Sequence, residues 1–492
     1  MTKYIITSVF IGRAFDAIVP ILSWIVITLP VWLSPFHPAV VAYFIIAFDL
    51  YFLYKALSTT YFATISYKSI LVHLKIPYFK KLTLLNRAAE IKHFIIIPNF
   101  KEPLYKLEAS ISSLTRSDYP YKNIYLILAF EKREIEAKNK AASLEKKFKQ
   151  NFTDVFSTYH TLLPDEVPGK ASNQTYAAKV LGKYIEKNSW KSENILVTIC
   201  DADSSFSQNY FSYLTYEYLR DKNHLFHFYW APVLLYNNFW KLPFFIRIQA
   251  TLSSILRLAF LSQKDKLIQI STYSTSFWLL KKINFWDTNI IPEDWHIFYQ
   301  AFFTFGEKVL TIPLYTIING DAVYSGGLLK TSRSRYEQEQ RWAWGVSDIS
   351  YTLKKFFSTP HINPLLKLKR IFFLIETHLL WTTSFFILTI SASIPPLINP
   401  IFKRTVLGFL LPRLSGLILT FSSLMLILYV YLDYQLRKKL EQKIKLISLP
   451  FLFIQWYLLP VVSFIFSSLP ALDAHTRLLF GKKIKYKVTE KI

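Results

Sequence analysis

Long apolar runs stand at both ends of the chain, and a mixed middle lies between them in which short apolar stretches alternate with polar ones. Residues 17–35 and 39–54 are almost free of charge, and 371–394, 414–432 and 446–469 repeat this pattern near the other end. A helix needs roughly twenty residues to cross the hydrocarbon core of a bilayer. The pattern therefore predicts an integral membrane protein whose spans flank a domain of different character.

Composition supports this prediction. The 492 residues are 52% hydrophobic and only 18% charged, whereas soluble domains are about 25% charged. The formal charge of +25 would suit nucleic acid, but lysine and arginine gather beside the apolar runs, where anionic lipids attract them. We therefore expect the protein to have a membrane as its partner and not to bind nucleic acid. The single cysteine, Cys200, excludes an intramolecular disulfide and fits a reducing compartment.

The basic residues also predict an orientation. Between positions 55 and 92 seven lysines and arginines face one acid, Glu90, and basic clusters recur at 366–370 and 437–445. Segments of this kind remain in the cytoplasm. We expect the first two apolar runs to form an uncleaved hairpin, because no small-residue cleavage site follows the first one.

The last apolar run is interrupted by Pro450, Pro460 and Pro470, and a lysine-rich tail follows it. A single crossing would place that tail outside, against the charge rule. We therefore expect a broken, re-entrant or interfacial pair of short helices, which is tolerated where protein covers the exposed backbone.

Two other features border the membrane. Residues 236–260 are amphipathic and rich in aromatic side chains, which fits either a membrane border or ordinary core packing. Glu376 and His378 lie near the cytoplasmic end of a predicted span. They suit either an interfacial position or a polar path through the protein.

The middle of the chain has the pattern of an α/β domain. Short apolar stretches predict strands at His93–Ile97, Asn123–Phe130 and Asn194–Cys200, and mixed segments predict helices at Leu104–Leu114 and Lys138–Phe148. Such alternation predicts a mostly parallel sheet with helices on its faces. Ligands of these sheets bind beyond the carboxyl ends of the strands.

Acidic side chains follow all three predicted strands. Glu102 comes soon after the first, Glu131 directly after the second, and Asp201 and Asp203 after the third. Two carboxylates at positions i and i+2 can meet one divalent cation, because Mg²⁺ and Mn²⁺ prefer oxygen ligands. On its own such a pair is more often an ordinary aspartate-rich turn.

Three later motifs carry further candidates. Each motif also has an ordinary explanation. PGKASN could be a loop, and the acids of PED could stand in the first turn of a helix because they favour its dipole. The tryptophan of QEQRW could lie at the membrane interface. Their order along the chain, after strand ends and before a span, is what raises their significance. They are PGKASN with Lys170 and Asn173, PED with Glu293 and Asp294, and QEQRW with Gln338, Arg341 and Trp342.

Together these motifs resemble the D…DxD…ED…QxxRW signature of the inverting family-2 glycosyltransferases, and in particular the membrane-embedded group that includes cellulose, chitin and hyaluronan synthases. The resemblance covers nearly the whole chain. The DxD motif is matched by Asp201 and Asp203, ED by Glu293 and Asp294, and QxxRW by Gln338, Arg341 and Trp342. The tail YKVTEK resembles the FxVTxK gating-loop motif of cellulose synthases through Tyr486, Thr489 and Lys491.

The resemblance implies a fold and an organisation. It implies a cytoplasmic GT-A domain with a mostly parallel α/β sheet, inserted between transmembrane helices. The implied regions are an N-terminal transmembrane hairpin at 1–60, the glycosyltransferase domain at 61–345, an interfacial amphipathic segment at 346–370, a transmembrane region at 371–470 and a cytoplasmic tail at 471–492.

The resemblance also implies a role for each matched residue in transferring sugar, with inversion, from a nucleotide-diphosphate donor. Asp294 is the implied general base, and Asp203 with Asp201 the implied site for Mg²⁺ or Mn²⁺. The acceptor and diphosphate contacts fall to Glu293, Gln338, Arg341 and Trp342, and the nucleotide contacts to Glu102, Glu131, Lys170, Asn173 and Asp201. This chain departs from the pattern at Glu131, where the family shows aspartate, and at Lys101–Glu102, where it shows asparagine before the acid.

Three hypotheses for function follow. The first is extension of a polysaccharide or a lipid-linked glycan. The second is the transfer of a single sugar to a membrane lipid. The third is a transporter or scaffold that merely binds nucleotide, which the intact ED and QxxRW motifs disfavour.

Overall fold

The protein is described here by a computed structural model that covers residues 2–439, 450 and 454–484. Its strands are β1 Lys92–Asn99, β2 Ile124–Glu131, β3 Asp154–His160, β4 Ile195–Ile199, β5 Ser205–Phe206, β6 Phe228–Trp230, β7 Val233–Leu234, β8 Tyr273–Ser276, β9 Thr311–Pro313 and β10 Ile318–Asn319. Its α-helices are α1 Thr2–Leu33, α2 Pro38–His73, α3 Tyr78–Leu82, α4 Leu104–Leu114, α5 Ala137–Phe148, α6 Lys170–Lys187, α7 Tyr210–Arg220, α8 Phe244–Ser262, α9 Phe277–Lys282, α10 Glu293–Phe305, α11 Leu328–Ala343, α12 Ser347–Ser358, α13 Pro364–Thr389, α14 Ile394–Ile398, α15 Pro400–Lys403, α16 Val406–Lys439, α17 Leu459–Ser463 and α18 Leu469–Leu479.

The prediction of a mostly parallel sheet is confirmed. Among the described residues, seven strands form one sheet in the order β3-β2-β1-β4-β8-β6-β9. All neighbours are parallel except for β8, which is antiparallel to both β4 and β6. The carboxyl ends of β1, β2 and β4 therefore share one edge with the amino end of β8.

The central strands are mostly apolar, which fits a sheet with both faces covered. In β1, Phe94 and Ile96 belong to one buried cluster, while Ile95 and Ile97 belong to another. Helices α6, α8, α9 and α10 contribute to the first cluster, and α4, α5 and α7 to the second. The sheet is thus the middle layer of three.

A small second sheet sits beside the carboxyl edge and pairs in the order β5-β10-β7. Phe206 of β5 pairs with Ile318 of β10 in antiparallel fashion. This pairing brings the chain that follows β4 next to the chain that follows β10. It determines where Asp203 lies.

Long apolar helices precede and follow the α/β domain in the chain. In the described residues, six helical segments are long and apolar enough to cross a membrane: Ile11–Leu33, Pro38–His73, Phe244–Ser262, Pro364–Thr389, Val406–Arg437 and Gln455–Leu479. Helix α2 continues past position 60, where the predicted hairpin region ends, to His73.

Helix α8 falls in the amphipathic segment 236–260. Of the most apolar 18-residue stretch of α8, 67% is buried inside the protein. The reason is that α8 packs between α2, α16 and the sheet domain. Of the two alternatives for this segment, core packing describes most of its surface.

The last apolar run, predicted to form a broken, re-entrant or interfacial pair of short helices, is described only from Ile454 on and at Pro450; residues 446–449 and 451–453 lie outside the described residues. Helical segments follow one another from Gln455 to Leu479, including a π-helical turn at Phe464–Ser468. Pro460 and Pro470 stand in the first turns of α17 and α18, where a missing N–H costs no helical hydrogen bond. The prolines therefore begin new segments without separating them.

Candidate active site

The carboxyl edge of the sheet brings Asp201 and Asp294 to one residue, Ser271. Ser271 precedes β8, whose antiparallel pairing with β4 joins Tyr273 to Ile199. Its backbone N–H donates to Oδ2 of Asp294 over 2.9 Å, and its hydroxyl donates to Oδ2 of Asp201. Ser271 has a left-handed backbone (φ +71°), a strained conformation for a residue with a side chain and one that concentrates at functional sites.

Lys170, the first residue of α6, binds the same acids. Its Nζ lies 2.7 Å from Oδ1 of Asp201 and 3.2 Å from Oε1 of Glu293, and it donates to the carbonyl of Ser271 over 2.7 Å. Burial alone would lower the pKa of Lys170, but the carboxylates of Asp201 and Glu293 outweigh burial and hold it well above its usual range. Lys170 is therefore a fixed cation among the acids.

Glu293 and Asp294 open helix α10, as the PED motif predicted. Oδ1 of Asp294 accepts the N–H of Trp295 over 2.9 Å, and the side chain of Gln269 donates to the carbonyl of Asp294 over 2.9 Å. Burial raises the pKa of Glu293 to about 7 against the opposing charge of Lys170. Burial also raises the pKa of Asp294, although the N–H of Ser271 acts the other way. Two acids with raised pKa values beside a lysine are typical of a functional site.

Asp203 lies on the other side of this edge. Its Oδ2 accepts the backbone N–H of Asp321 over 2.8 Å, and its carbonyl accepts the side-chain amide of Asn237 over 2.9 Å. The carboxylate of Asp321 is paired with buried Lys106, with Nζ and Oδ2 2.5 Å apart. These contacts fix Asp203 between β5 and β10.

Asp201 and Asp203 suit a divalent ion that also binds substrate. No group of three or more His, Cys, Asp or Glu side chains that could bind a metal occurs in the described part of the chain. Mg²⁺, however, is commonly bound through one or two carboxylates together with the phosphates of a nucleotide. The hard oxygen donors of the DxD pair fit that arrangement.

The QEQRW motif lies on α11, and its tryptophan ring lies beside two arginines. The guanidinium carbons of Arg335 and Arg257 lie 4.9 Å and 5.9 Å from the centre of the Trp342 ring. Arg257 is also near enough to Asp201, Asp203 and Asp294 for their charges to act on it. Trp342 remains 36% exposed.

Gln338 is buried, and its Oε1 accepts a hydrogen bond from Arg335 over 2.6 Å. Arg335 also pairs with Glu339 one turn along the helix. Arg341 is half-buried. The motif therefore presents the Trp342 ring, while Gln338 helps to place Arg335 beneath it.

The candidate nucleotide residues of β1 and β2 lie along the same edge. The Asn173 amide group donates to the carbonyls of Ala129 and Asn99 over 2.8 Å and 3.4 Å, and thereby joins the ends of both strands. Oε2 of Glu131 accepts from Arg133 over 2.5 Å. The carbonyl of Glu102 accepts from Lys140 over 2.9 Å.

Tyr486, Thr489 and Lys491, which carry the tail motif, lie outside the described residues. Three residues of the cluster were missed by sequence reasoning: Ser271, Arg257 and Arg335. Arg257 had a signal, because an arginine inside an apolar helix usually faces protein or a polar cavity. Ser271 had none beyond its position before a short polar strand.

No protein-family model and no curated protein sequence matches the chain. Among solved structures it is similar to a mannosyltransferase from Pyrobaculum calidifontis in complex with GDP-mannose and Mn²⁺. The TM-score is 0.41 at 12% identity, over 79% of this chain and 97% of that one. It is also similar to TarS of S. aureus in complex with UDP-GlcNAc, with a TM-score of 0.36 at 11% identity over 71% and 92% of the chains. A third similar structure is GalNAc-T7 with UDP, GalNAc and Mn²⁺, with a TM-score of 0.34 at 13% identity over 58% of each chain. At TM-scores below 0.5, function has to be argued from the site itself.

Proposed function

We propose that the protein is a membrane-embedded, inverting family-2 glycosyltransferase with a GT-A domain facing the cytoplasm. It transfers a sugar from a nucleotide-diphosphate donor to a glycan or lipid-linked acceptor, most simply in polysaccharide synthesis. One observation carries this proposal. Ser271 donates hydrogen bonds to both Asp201 and Asp294, so the acids of two separate motifs meet at one residue.

Asp294 is the general base that accepts the proton of the acceptor hydroxyl. Its carboxylate is oriented by the N–H groups of Ser271 and Trp295. Burial raises its pKa, and a base works best when its pKa lies near the working pH. Inversion in one displacement requires a single base, so Glu293 is assigned to orienting the acceptor.

The donor diphosphate lies along the edge formed by Asp201, Asp203 and Lys170. Asp203 and Asp201 are the residues that would bind Mg²⁺ or Mn²⁺, which supplies Lewis-acid stabilisation of the departing phosphate oxygens. The planar guanidinium of Arg341 suits phosphate oxygens. The ring face of Trp342 suits the apolar face of a sugar.

Glu102, Glu131 and Asn173 remain assigned to the nucleotide, with Asn173 acting through its hold on the ends of β1 and β2. The tail residues Tyr486, Thr489 and Lys491 are assigned, by motif alone, to a segment that covers the nucleotide.

The experiment is a donor screen. The purified full-length protein is incubated with a panel of nucleotide sugars in Mg²⁺ and in Mn²⁺, and free nucleoside diphosphate is measured. Turnover of at least one donor, with labelled sugar passing to a product, supports the proposal. A ladder of product lengths indicates polymer synthesis, and one added sugar indicates a lipid acceptor. Nucleotide binding without release of diphosphate would favour a transporter or scaffold instead.

A further inference from the structure

A buried cation lies where α16 meets the sheet domain. Arg437 is only 4% exposed, and its guanidinium carbon lies 3.9 Å from the centre of the Phe239 ring. Its Nη2 pairs with Asp433. Its Nε and Nη1 are buried and have no hydrogen-bond partner within the described part of the protein.

The partner of Arg437 is already fully used. Asp433 accepts the hydroxyl of Tyr236 over 2.6 Å and that of Thr251 over 3.2 Å, in addition to the guanidinium. These contacts tie α16 to α8 and to the loop after β7. Asp433 therefore has little capacity left for further donors.

Two more buried donors lie nearby. Nε of Arg247 and Nε1 of Trp240 also lack partners among the described residues. The Trp240 ring lies 5.3 Å from the Arg437 guanidinium carbon. Arg247 stands one turn of α8 before Thr251, whose hydroxyl donates to Asp433, the partner of Arg437. Arg247 stands in the first turn of α8, which has no acid and no side-chain cap, and a cation there opposes the helix dipole.

Within the described residues, Arg247, Arg437 and Asp433 together carry one net positive charge. A buried donor without a partner destabilises the folded protein, and the guanidinium groups of buried Arg437 and half-buried Arg247 have like charges. An anion between Arg247 and Arg437 would remove both costs. Among the residues that the structure describes, the arrangement is therefore incomplete as an internal contact.

The chemistry and the location indicate which anion fits. Guanidinium groups bind phosphate through paired, charge-assisted hydrogen bonds. Arg437 follows the apolar run 414–432 and begins the basic segment 437–445, and basic residues next to a span are attracted by anionic lipid head groups. Basic pockets between membrane helices bind anionic lipid head groups. We propose that Arg247, Arg437 and Trp240 form a binding site for a phosphate group, supplied either by an anionic phospholipid or by free phosphate.

The test measures binding through stability, so it does not depend on sugar transfer. The purified full-length protein in a neutral detergent is titrated with phosphatidylglycerol, phosphatidylcholine or inorganic phosphate, and its thermal unfolding midpoint is followed. A ligand that binds only the folded protein raises the midpoint in a saturable manner. We expect phosphatidylglycerol to do so and phosphatidylcholine not to. Saturation by inorganic phosphate at the same concentrations would assign the site to the free ion.

Two variants test the residues. Arg247→Gln removes one half-buried donor, and Arg437→Lys keeps the charge next to Asp433 but removes the planar fork. Each should raise the half-saturating concentration about tenfold or more. Arg413→Gln removes an arginine from the opposite end of α16, where its guanidinium lies 4.1 Å from the Phe409 ring, and should bind as the wild type does. Equal stabilisation by the two lipids with no effect of phosphate, or wild-type affinity in both variants, would overturn the proposal.

Discussion

The guanidinium carbon of Arg257 lies 5.9 Å from the centre of the Trp342 indole ring. The same guanidinium donates to the carbonyl of Val233 over 2.8 Å and is near enough to Asp201, Asp203 and Asp294 for their charges to act on it. One buried cation thus connects the helix that carries the QEQRW motif with the two acids that follow β4 and with the acid in the first turn of α10. The relative positions of acceptor and donor should depend on it.

Arg257→Lys tests this connection. Lysine keeps the charge but lacks the planar group that stacks on Trp342 and donates to the carbonyl of Val233 over 2.8 Å. We expect kcat/KM for diphosphate release to fall about tenfold or more. The control is Arg220→Lys, since Arg220 lies 5.1 Å from the Tyr216 ring on an exposed surface. Equal activity in both variants would show that Arg257 does not contribute.

The sheet could be predicted from the sequence because its central strands are apolar and are followed at once by polar residues. Helix α4 begins and ends where it was predicted, at Leu104 and Leu114. Strand β8 could not be predicted, because its sequence YSTS is short and polar. Its antiparallel direction is nevertheless what brings Ser271 beside Asp201.

The candidate acids were identifiable from motifs, but their contacts were not. Lys170 was assigned to the nucleotide, and the fold places its Nζ 2.7 Å from Asp201 and 3.2 Å from Glu293. Contacts of this kind join residues far apart in the chain, so no local pattern records them. Arg335 escaped notice for a related reason: its stacking on Trp342 and its bond to Gln338 are visible only once α11 is formed.

The pH dependence of turnover should reflect Glu293. Burial raises the pKa of this carboxyl from its ordinary 4.5 to about 7, so it loses its proton only as the pH rises through about 7. We expect kcat/KM to increase over that range, because an ionised carboxylate orients the acceptor hydroxyl better. In the variant Glu293→Gln this rise of kcat/KM should move to lower pH, whereas the exposed control Glu307→Gln should show the same rise as the wild type. An unchanged pH profile in Glu293→Gln would exclude Glu293 as the source of the rise.

The pH dependence of stability should reflect His296, whose ring lies 2.7 Å from Asp348 and 2.9 Å from Asp287. Burial alone would lower the pKa of His296, but Asp348 and then Asp287 raise it from 6.5 to about 9. The pKa of His296 is higher in the folded than in the unfolded protein. The stabilisation of the fold by protonated His296 is therefore complete below pH 6.5 and is lost as the pH rises through about 9. This stabilisation amounts to about 3 kcal/mol.

The thermal unfolding midpoint of the purified protein measures this effect. The difference between wild type and His296→Gln should be largest below pH 6.5 and should shrink towards pH 9. Exposed His361→Gln serves as the control and should follow the wild type. A difference that is constant with pH would mean that the ion pairs of His296 do not stabilise the fold.

Metal dependence should reside in Asp203. Asp203→Asn keeps an acceptor for the N–H of Asp321 but removes the charge that attracts a cation. We expect turnover in Mg²⁺ or Mn²⁺ to fall at least about 100-fold, since metal stabilisation of a leaving phosphate is worth several kcal/mol. The measurement is the dependence of turnover on metal concentration in the wild type, in Asp203→Asn and in the exposed control Glu186→Gln. Full metal-dependent turnover in Asp203→Asn would remove Asp203 from the metal site.

The variant Asp294→Asn tests most directly whether sugar is transferred at the cluster of Ser271, Lys170, Glu293 and Asp294. Asparagine keeps the hydrogen bond from Ser271 but cannot accept a proton. The measurement is release of nucleoside diphosphate from the donor that the wild type prefers, at equal protein and metal concentrations. We predict a loss of about 100-fold to 10,000-fold, with Glu307→Gln unchanged. Undiminished release by Asp294→Asn would contradict the assignment of this edge of the sheet as a glycosyltransferase active site.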